Sequence, residues 1–191
     1  MDEFEVSQET KEYNRALCER FPFLIPSNRW SGKRITEAQD GGYWLGDPEA
    51  VPEPYDYEYT ELDEMPDGWR KAFGEQMCEE IMEELVAHDL VDDYRITQIK
   101  EKYAQLRWYD YNSTDKIWRE IIPKYENLSA RTCINCGEPA VWISKGWISP
   151  YCDDCAEKMV ERSSEYYTGE YTQYFSPINE YYSYEEEEDP E

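Results

Sequence analysis

The chain has a single histidine, His88, among its 191 residues. No Ser/His/Asp or Cys/His arrangement can be assembled around it, and an imidazole near the end of an acidic helical pattern reads as a surface or capping residue. Glycine-rich phosphate loops and dinucleotide fingerprints are missing too, so an enzyme is not expected. Long apolar runs are absent as well. Nothing approaches the roughly 20 residues that cross a bilayer, and the opening MDEFEVSQE is acidic where a secretory leader would be basic and then apolar. A cytoplasmic protein without a membrane partner is the expectation. Aliphatic residues are also scarce. Leu, Ile, Val and Phe total 31, about 16% of the chain, which with a large net charge is a composition typical of disorder.

Aromatic residues compensate for that scarcity. The 18 Tyr and 7 Trp can bury large rings while keeping a polar atom for a hydrogen bond, so a core can form from few aliphatics. Positive charge is the remaining deficit: 44 Asp and Glu stand against 19 Lys and Arg, a formal charge of −25. Phosphate backbones and anionic lipid repel such a chain, so direct nucleic-acid binding is not expected and the natural partner is a basic protein.

The acids are spread over the body with a concentrated end. Residues 1–60 hold 13 acids and 6 bases, 61–130 hold 17 and 9, 131–162 hold 5 and 4, and 163–191 hold 9 and none. Four regions are expected: an N-terminal helix and Pro-rich linker (1–54), an α+β core (55–130), a zinc ribbon (131–162) and an acidic Tyr-rich tail (163–191). Residues 5–20 read as a polar helix ended by the Phe21-Pro22 step. The small basic island Arg29, Lys33 and Arg34 precedes the extended DPEAVPEP stretch. Tyr55, Tyr57 and Tyr59 alternate with acids as in a strand. Asp67 is placed to cap a helix carrying Trp69, Phe73, Met77, Ile81 and Leu85 at every fourth position. Residues 94–111 fit either a helix or a strand pair, and a hairpin turning near Ala104-Gln105 is favoured. Ile117, Ile121, Tyr125 and Leu128 mark a second helix, with Pro123 as a defect inside it.

Cys133-Ile-Asn-Cys136 and Cys152-Asp-Asp-Cys155 are two CxxC pairs separated by 15 residues, the spacing of a structural zinc site. Each CxxC turn aims two thiolates at one centre, and two turns close a tetrahedron around Zn²⁺. Gly137 suits a turn with positive φ. The two short β-type runs around Lys145-Gly146 complete a ribbon hairpin. Paired disulfides do not suit a cytosol, and a redox CxxC needs no duplicate. Four thiolates leave no open position, so the metal is a staple. Cys18 and Cys78 read as small buried side chains.

The stretch Tyr57 to Trp69, the segment Gln98-Ile-Lys100-Glu-Lys102-Tyr-Ala-Gln-Leu106-Arg107-Trp-Tyr109 and the paired CxxC knuckles follow in that order. This order resembles uncharacterised zinc-ribbon proteins of bacteria and their phages, whose middle motif usually reads like KEKFGGLRFY; here Ala104-Gln105 replaces the paired glycines. The resemblance covers roughly the central two thirds of the chain, implies a phage or mobile-element setting in a host cytosol, and carries over no catalytic residue. Lys100, Glu101, Lys102 and Arg107 could form a ligand site on the hairpin, though cross-strand ion pairs are the plainer expectation.

Two acidic surfaces are candidates for partner binding: the helix stripe Glu79, Glu80, Glu83 and Glu84, and the tail residues Tyr171, Tyr174, Glu185, Glu186, Glu187 and Glu188. Rings can cover arginines while carboxylates meet Lys and Arg. The expectation is an acidic zinc protein that binds a basic surface. With the resemblance, this becomes an anti-CRISPR-like inhibitor of a host defence nuclease that mimics nucleic acid. The alternative is a zinc-ribbon adaptor or transcription-associated module, in which Lys145 and Trp147 matter more than the acids.

Overall fold

The structure is a computed structural model that describes residues 6–27, 34, 55–162 and 174–183. Helix α1 (Gln8–Arg20) starts where the Ser7 hydroxyl accepts the Thr10 N–H at 3.1 Å and ends at Phe21, as the Phe21-Pro22 step requires. Its apolar side, Leu17 and Cys18, is buried together with Phe21, Phe23 and Leu24 of the following turn.

Residues 55–60 are not a strand. Tyr57 takes φ 67°, which breaks the alternation, and the segment is tied to α1 instead. Asn14 donates to the Tyr57 carbonyl at 2.8 Å, and Lys11 reaches Asp56 and Glu58 at 2.6 and 2.7 Å. The long helix then runs unbroken through α2 (Asp67–Trp69), a π segment (Arg70–Gly74) and α3 (Glu75–Ala87). Asp67 is its first residue rather than its cap, which is Pro66. Trp69, Phe73, Met77, Ile81 and Leu85 are all buried in the main core, and each contributes about 1.5–3 kcal/mol by leaving water.

Strands β1 (Arg95–Lys102) and β2 (Gln105–Tyr111) form the expected hairpin, with one register shift between Ile96 and Gln98. The turn is Tyr103-Ala104, one residue earlier than the sequence suggests, with φ 53° and 64°. Ile96, Ile99, Leu106 and Trp108 face the core, and the Trp108 indole donates to the buried Tyr94 hydroxyl at 2.9 Å. The free edge of β2 is closed from the second long helix, where the Ser129 hydroxyl accepts the Leu106 N–H at 2.7 Å. That helix is a π segment (Ile117–Ile121) followed by α4 (Ile122–Ser129). Pro123 therefore lies inside a continuous helical run, as expected, just after the π segment that alters the hydrogen-bond ladder there. The extra π residue also rotates the later turns, so Ile122 and Ser129 are buried while Leu128 is 43% exposed.

In the ribbon, β3 (Trp142–Ser144) pairs antiparallel with both β4 (Pro150–Tyr151) and β5 (Phe175–Pro177). Helix α5 (Asp153–Arg162) follows the second CxxC start, and α6 (Ile178–Ser183) packs its Ile178 with Ala104, Ala140 and Ile143. Part of the Tyr-rich region is thus ribbon: Phe175 stacks edge-on against Tyr151, ring centres 5.8 Å apart. The molecule is α+β, with helices against two small antiparallel sheets. Among the described residues no helix is long and apolar enough to cross a membrane.

Candidate metal centre

Cys133, Cys136, Cys152 and Cys155 converge, with all four sulfurs within 4.8 Å of one another and Cys136 Sγ 3.5 Å from Cys152 Sγ. A tetrahedron of Zn–S bonds of about 2.3 Å separates its sulfurs by about 3.8 Å, so the cluster has the dimensions the ion requires. The first knuckle turns as its sequence demands. The Gly137 N–H reaches the Cys133 carbonyl at 3.0 Å, and Gly137 has φ 85°, a conformation that a side chain would strain. Burial opposes ionisation of Cys133, but backbone N–H groups of Cys152, Asn135 and Cys136 donate to its sulfur and bring its pKa below the ordinary thiol value. Burial pushes Cys152 and Cys155 up. The donor set fits a divalent soft-tolerant cation, with zinc the natural occupant, and all four thiolates would be used in holding it.

Two seams join the ribbon to the core. At the first, the Gly68 N–H donates to the Ile134 carbonyl at 2.9 Å and the Trp69 indole to the Thr132 carbonyl at 2.8 Å. Gly68 has no room for a side chain, since a Cβ there would lie 2.2 Å from the Cys133 carbonyl oxygen. At the second, the Ala104 N–H donates to the Ile148 carbonyl at 3.1 Å and the Trp147 indole to Glu101 at 3.2 Å. The metal centre therefore braces the N-terminus of α2 and the tip of the β1–β2 hairpin together. Neither seam is visible as a motif in the sequence.

The acidic stripe is engaged within the molecule. Glu79 pairs with Arg20 at 2.7 Å, alongside Glu75 at 2.6 Å. Glu80 accepts from Lys124 at 2.6 Å and from the Tyr125 hydroxyl at 2.8 Å. Glu84 is nearly buried and accepts from Lys116 and Thr114, each at 3.0 Å. Lys116 holds the Glu84 carboxyl below the usual range. For Glu80, burial is outweighed by Lys124 and Tyr125 and the net shift is also downward. Glu83 is exposed. Tyr174 gives its carbonyl to the Lys145 N–H at 2.7 Å, whereas Tyr171 and Glu185 to Glu188 lie outside the described residues. His88 sits beside Glu84, its Nδ1 3.3 Å from the carboxylate. Cys18 and Cys78 are buried, and burial raises both thiols. No protein-family model, curated protein or solved structure matches the chain.

Proposed function

We propose that this protein is an acidic, zinc-stapled module that binds a basic protein surface. In its most specific form it is a phage-type inhibitor that occupies the nucleic-acid channel of a host defence nuclease by mimicry. The observation that carries the reading is the charge of −25 on a folded scaffold. Fixed carboxylates can steer a Lys/Arg-lined channel toward the protein and exclude the true ligand. The closed four-thiolate centre supports a binding role over catalysis, because it holds shape and offers no open position. The test is capture from host lysate at low salt with zinc present, followed by elution with duplex DNA. Release of a basic nuclease by DNA is expected, and recovery of no basic nucleic-acid-binding protein overturns the reading.

A second reading, the zinc-ribbon adaptor, is favoured by one feature. Trp147 stands 81% exposed at the tip of the ribbon hairpin, where burial in a partner would make it an anchor. Trp147→Ala abolishes partner binding by an adaptor and spares a mimic. Neutralising Glu185 to Glu188 has the opposite pattern.

A further inference from the structure

A cleft of about 650 Å³ opens onto the metal centre beside the first seam. Its walls include Asp67 at the start of α2, Ile134 of the first knuckle, and Cys155, Lys158, Met159 and Arg162 of α5. The α5 residues follow at spacings of three and four, which makes them one face of that helix. The four sulfurs are thus not equally placed. Cys133 has no exposed surface, whereas Cys155 is partly exposed and is the ligand set in the cleft wall. Among the described residues no carboxylate pairs with Lys158 or Arg162, and Asp67 is engaged by Arg70 at 3.1 Å. A ligating thiol is deprotonated outright by its cation, so the sulfur at the cleft is a nucleophile in the loaded protein, although burial holds the metal-free Cys155 thiol protonated. A partly exposed thiolate beside cations, in the first turn of a helix, is the reactive kind.

We propose that Cys155 is the oxidant-reactive ligand of the metal centre, and that a small peroxide entering this cleft joins Cys155 to Cys152 as a disulfide and releases the metal. Hydrogen peroxide is uncharged, so the net charge of −25 does not keep it away. The Cys155 thiolate attacks one peroxide oxygen, the O–O bond breaks and hydroxide leaves, giving the Cys155 sulfenic acid. Lys158 and Arg162 meet the negative charge that develops on the leaving oxygen. The Cys152 thiolate then attacks the Cys155 sulfur, a second hydroxide leaves and the disulfide forms. Two electrons pass from the two sulfurs to one peroxide. Cys152 is the resolving partner because it stays within reach once the metal goes: the two residues bracket the first turn of α5, where the Ala156 N–H donates to the Cys152 carbonyl at 3.1 Å, whereas Cys133 and Cys136 belong to the other knuckle. Two of the four ligands are then gone. Because knuckle folding and metal binding are one equilibrium, release also undoes the first seam, where Gly68 and Trp69 donate to the Ile134 and Thr132 carbonyls. The staple is thereby a lock that an oxidant opens, whatever partner the protein binds.

The test uses the reduced full chain, shown by metal analysis to be zinc-loaded, with hydrogen peroxide as the oxidant and a chelating dye to report free zinc. Zinc release follows peroxide consumption one for one, peptide mass analysis finds the first disulfide between Cys152 and Cys155, and dithiothreitol with added zinc restores the near-ultraviolet circular dichroism. Cys155→His keeps four ligands, since three cysteines and a histidine also hold zinc, and this variant retains its metal under the same treatment. Cys136→His, which leaves Cys152 and Cys155 in place, releases it as the parent does. Lys158→Gln with Arg162→Gln slows release several-fold without changing zinc affinity. A first disulfide that involves Cys133 or Cys136 overturns the proposal. So does release from Cys155→His at the parental rate, or a Cys136→His protein that keeps its zinc. Should Cys155→His bind no zinc, the disulfide mapped in the parent decides.

Discussion

Substituting Gly68 by alanine tests whether the ribbon and the core are one folding unit. The added Cβ would meet the Cys133 carbonyl oxygen at 2.2 Å and the Ile134 carbonyl carbon and oxygen at 2.6 Å. All three atoms are backbone of the first zinc knuckle, held by Gly137, itself packed where a Cβ would lie 2.6 Å from the Gly68 carbonyl oxygen. Neither side can yield by rotating a side chain, so α2 must retreat from the knuckle. Overpacking of this kind costs about 1–3 kcal/mol. The retreat stretches two hydrogen bonds, from the Gly68 N–H and the Trp69 indole, each contributing about 1 kcal/mol. Alanine returns about 1 kcal/mol of helix propensity. The expected net loss is about 2–4 kcal/mol, a large part of the stability of an ordinary domain. Urea unfolding with saturating zinc measures it, and competition with a chelator should show zinc held at least about tenfold more weakly, because the seam forms only when the knuckle does. Gly146→Ala is the control. Nothing lies within 4 Å of its Cβ position and its φ is 103°, so only backbone strain of about 1–2 kcal/mol applies, without a change in zinc affinity. A Gly68→Ala protein within about 0.5 kcal/mol of the parent and with unchanged zinc affinity would refute the seam.

Removing zinc from the reduced protein, or replacing Cys133 or Cys152 by serine, should unfold the ribbon and expose Tyr151 and Phe175, which near-ultraviolet circular dichroism reports. Metal analysis should find one zinc per chain, and none in reduced protein would overturn the centre. Tyr103→Asn should stabilise the hairpin by about 1 kcal/mol in thermal melts, because Tyr103 is exposed at φ 53° and asparagine tolerates that conformation. The acids respond to pH with two signs. Glu75, held low by Arg20, and Glu84, held low by Lys116, stabilise the fold above their unfolded pKa of about 4.5, and this contribution is lost as pH falls through their folded values. Burial raises Asp110, so its charge opposes folding once pH rises through the raised value. Asp110→Asn should therefore increase the urea midpoint at pH 7, with the gain vanishing below about pH 3.8.

Side-chain period and cysteine spacing carried most of the architecture. The every-fourth-residue pattern from Trp69 to Leu85 defined the buried side of the long helix because nothing local competed with it. The two CxxC pairs converge because the knuckle turn is a local property of four or five residues. What was hidden depended on distant contacts. Tyr55, Tyr57 and Tyr59 alternate perfectly, yet among the described residues no strand pairs with them, and Lys11 and Asn14 of α1 hold them as a loop. Leu128 follows the helical period, but the π segment before α4 rotates it outward and brings Ser129 inward to close the β2 edge. One inserted residue in a hydrogen-bond ladder leaves no mark in the hydrophobic pattern. Phe175 and Ile178 sit within an acidic Tyr-rich stretch, and only the ribbon sheet shows what they cover.

Charge shows the sharpest difference between a sum and an arrangement. Counted along α3, Glu79, Glu80, Glu83 and Glu84 form a uniform acidic stripe. In space, Arg20, Lys124 and Lys116 meet three of them, and those pairs clamp α3 to α1 and to the helix ending in α4. A partner approaching that side meets neutralised carboxylates and Glu83. On the hairpin, by contrast, Lys100 and Arg107 face each other across the strands as like charges, with Arg107 also reaching Glu126.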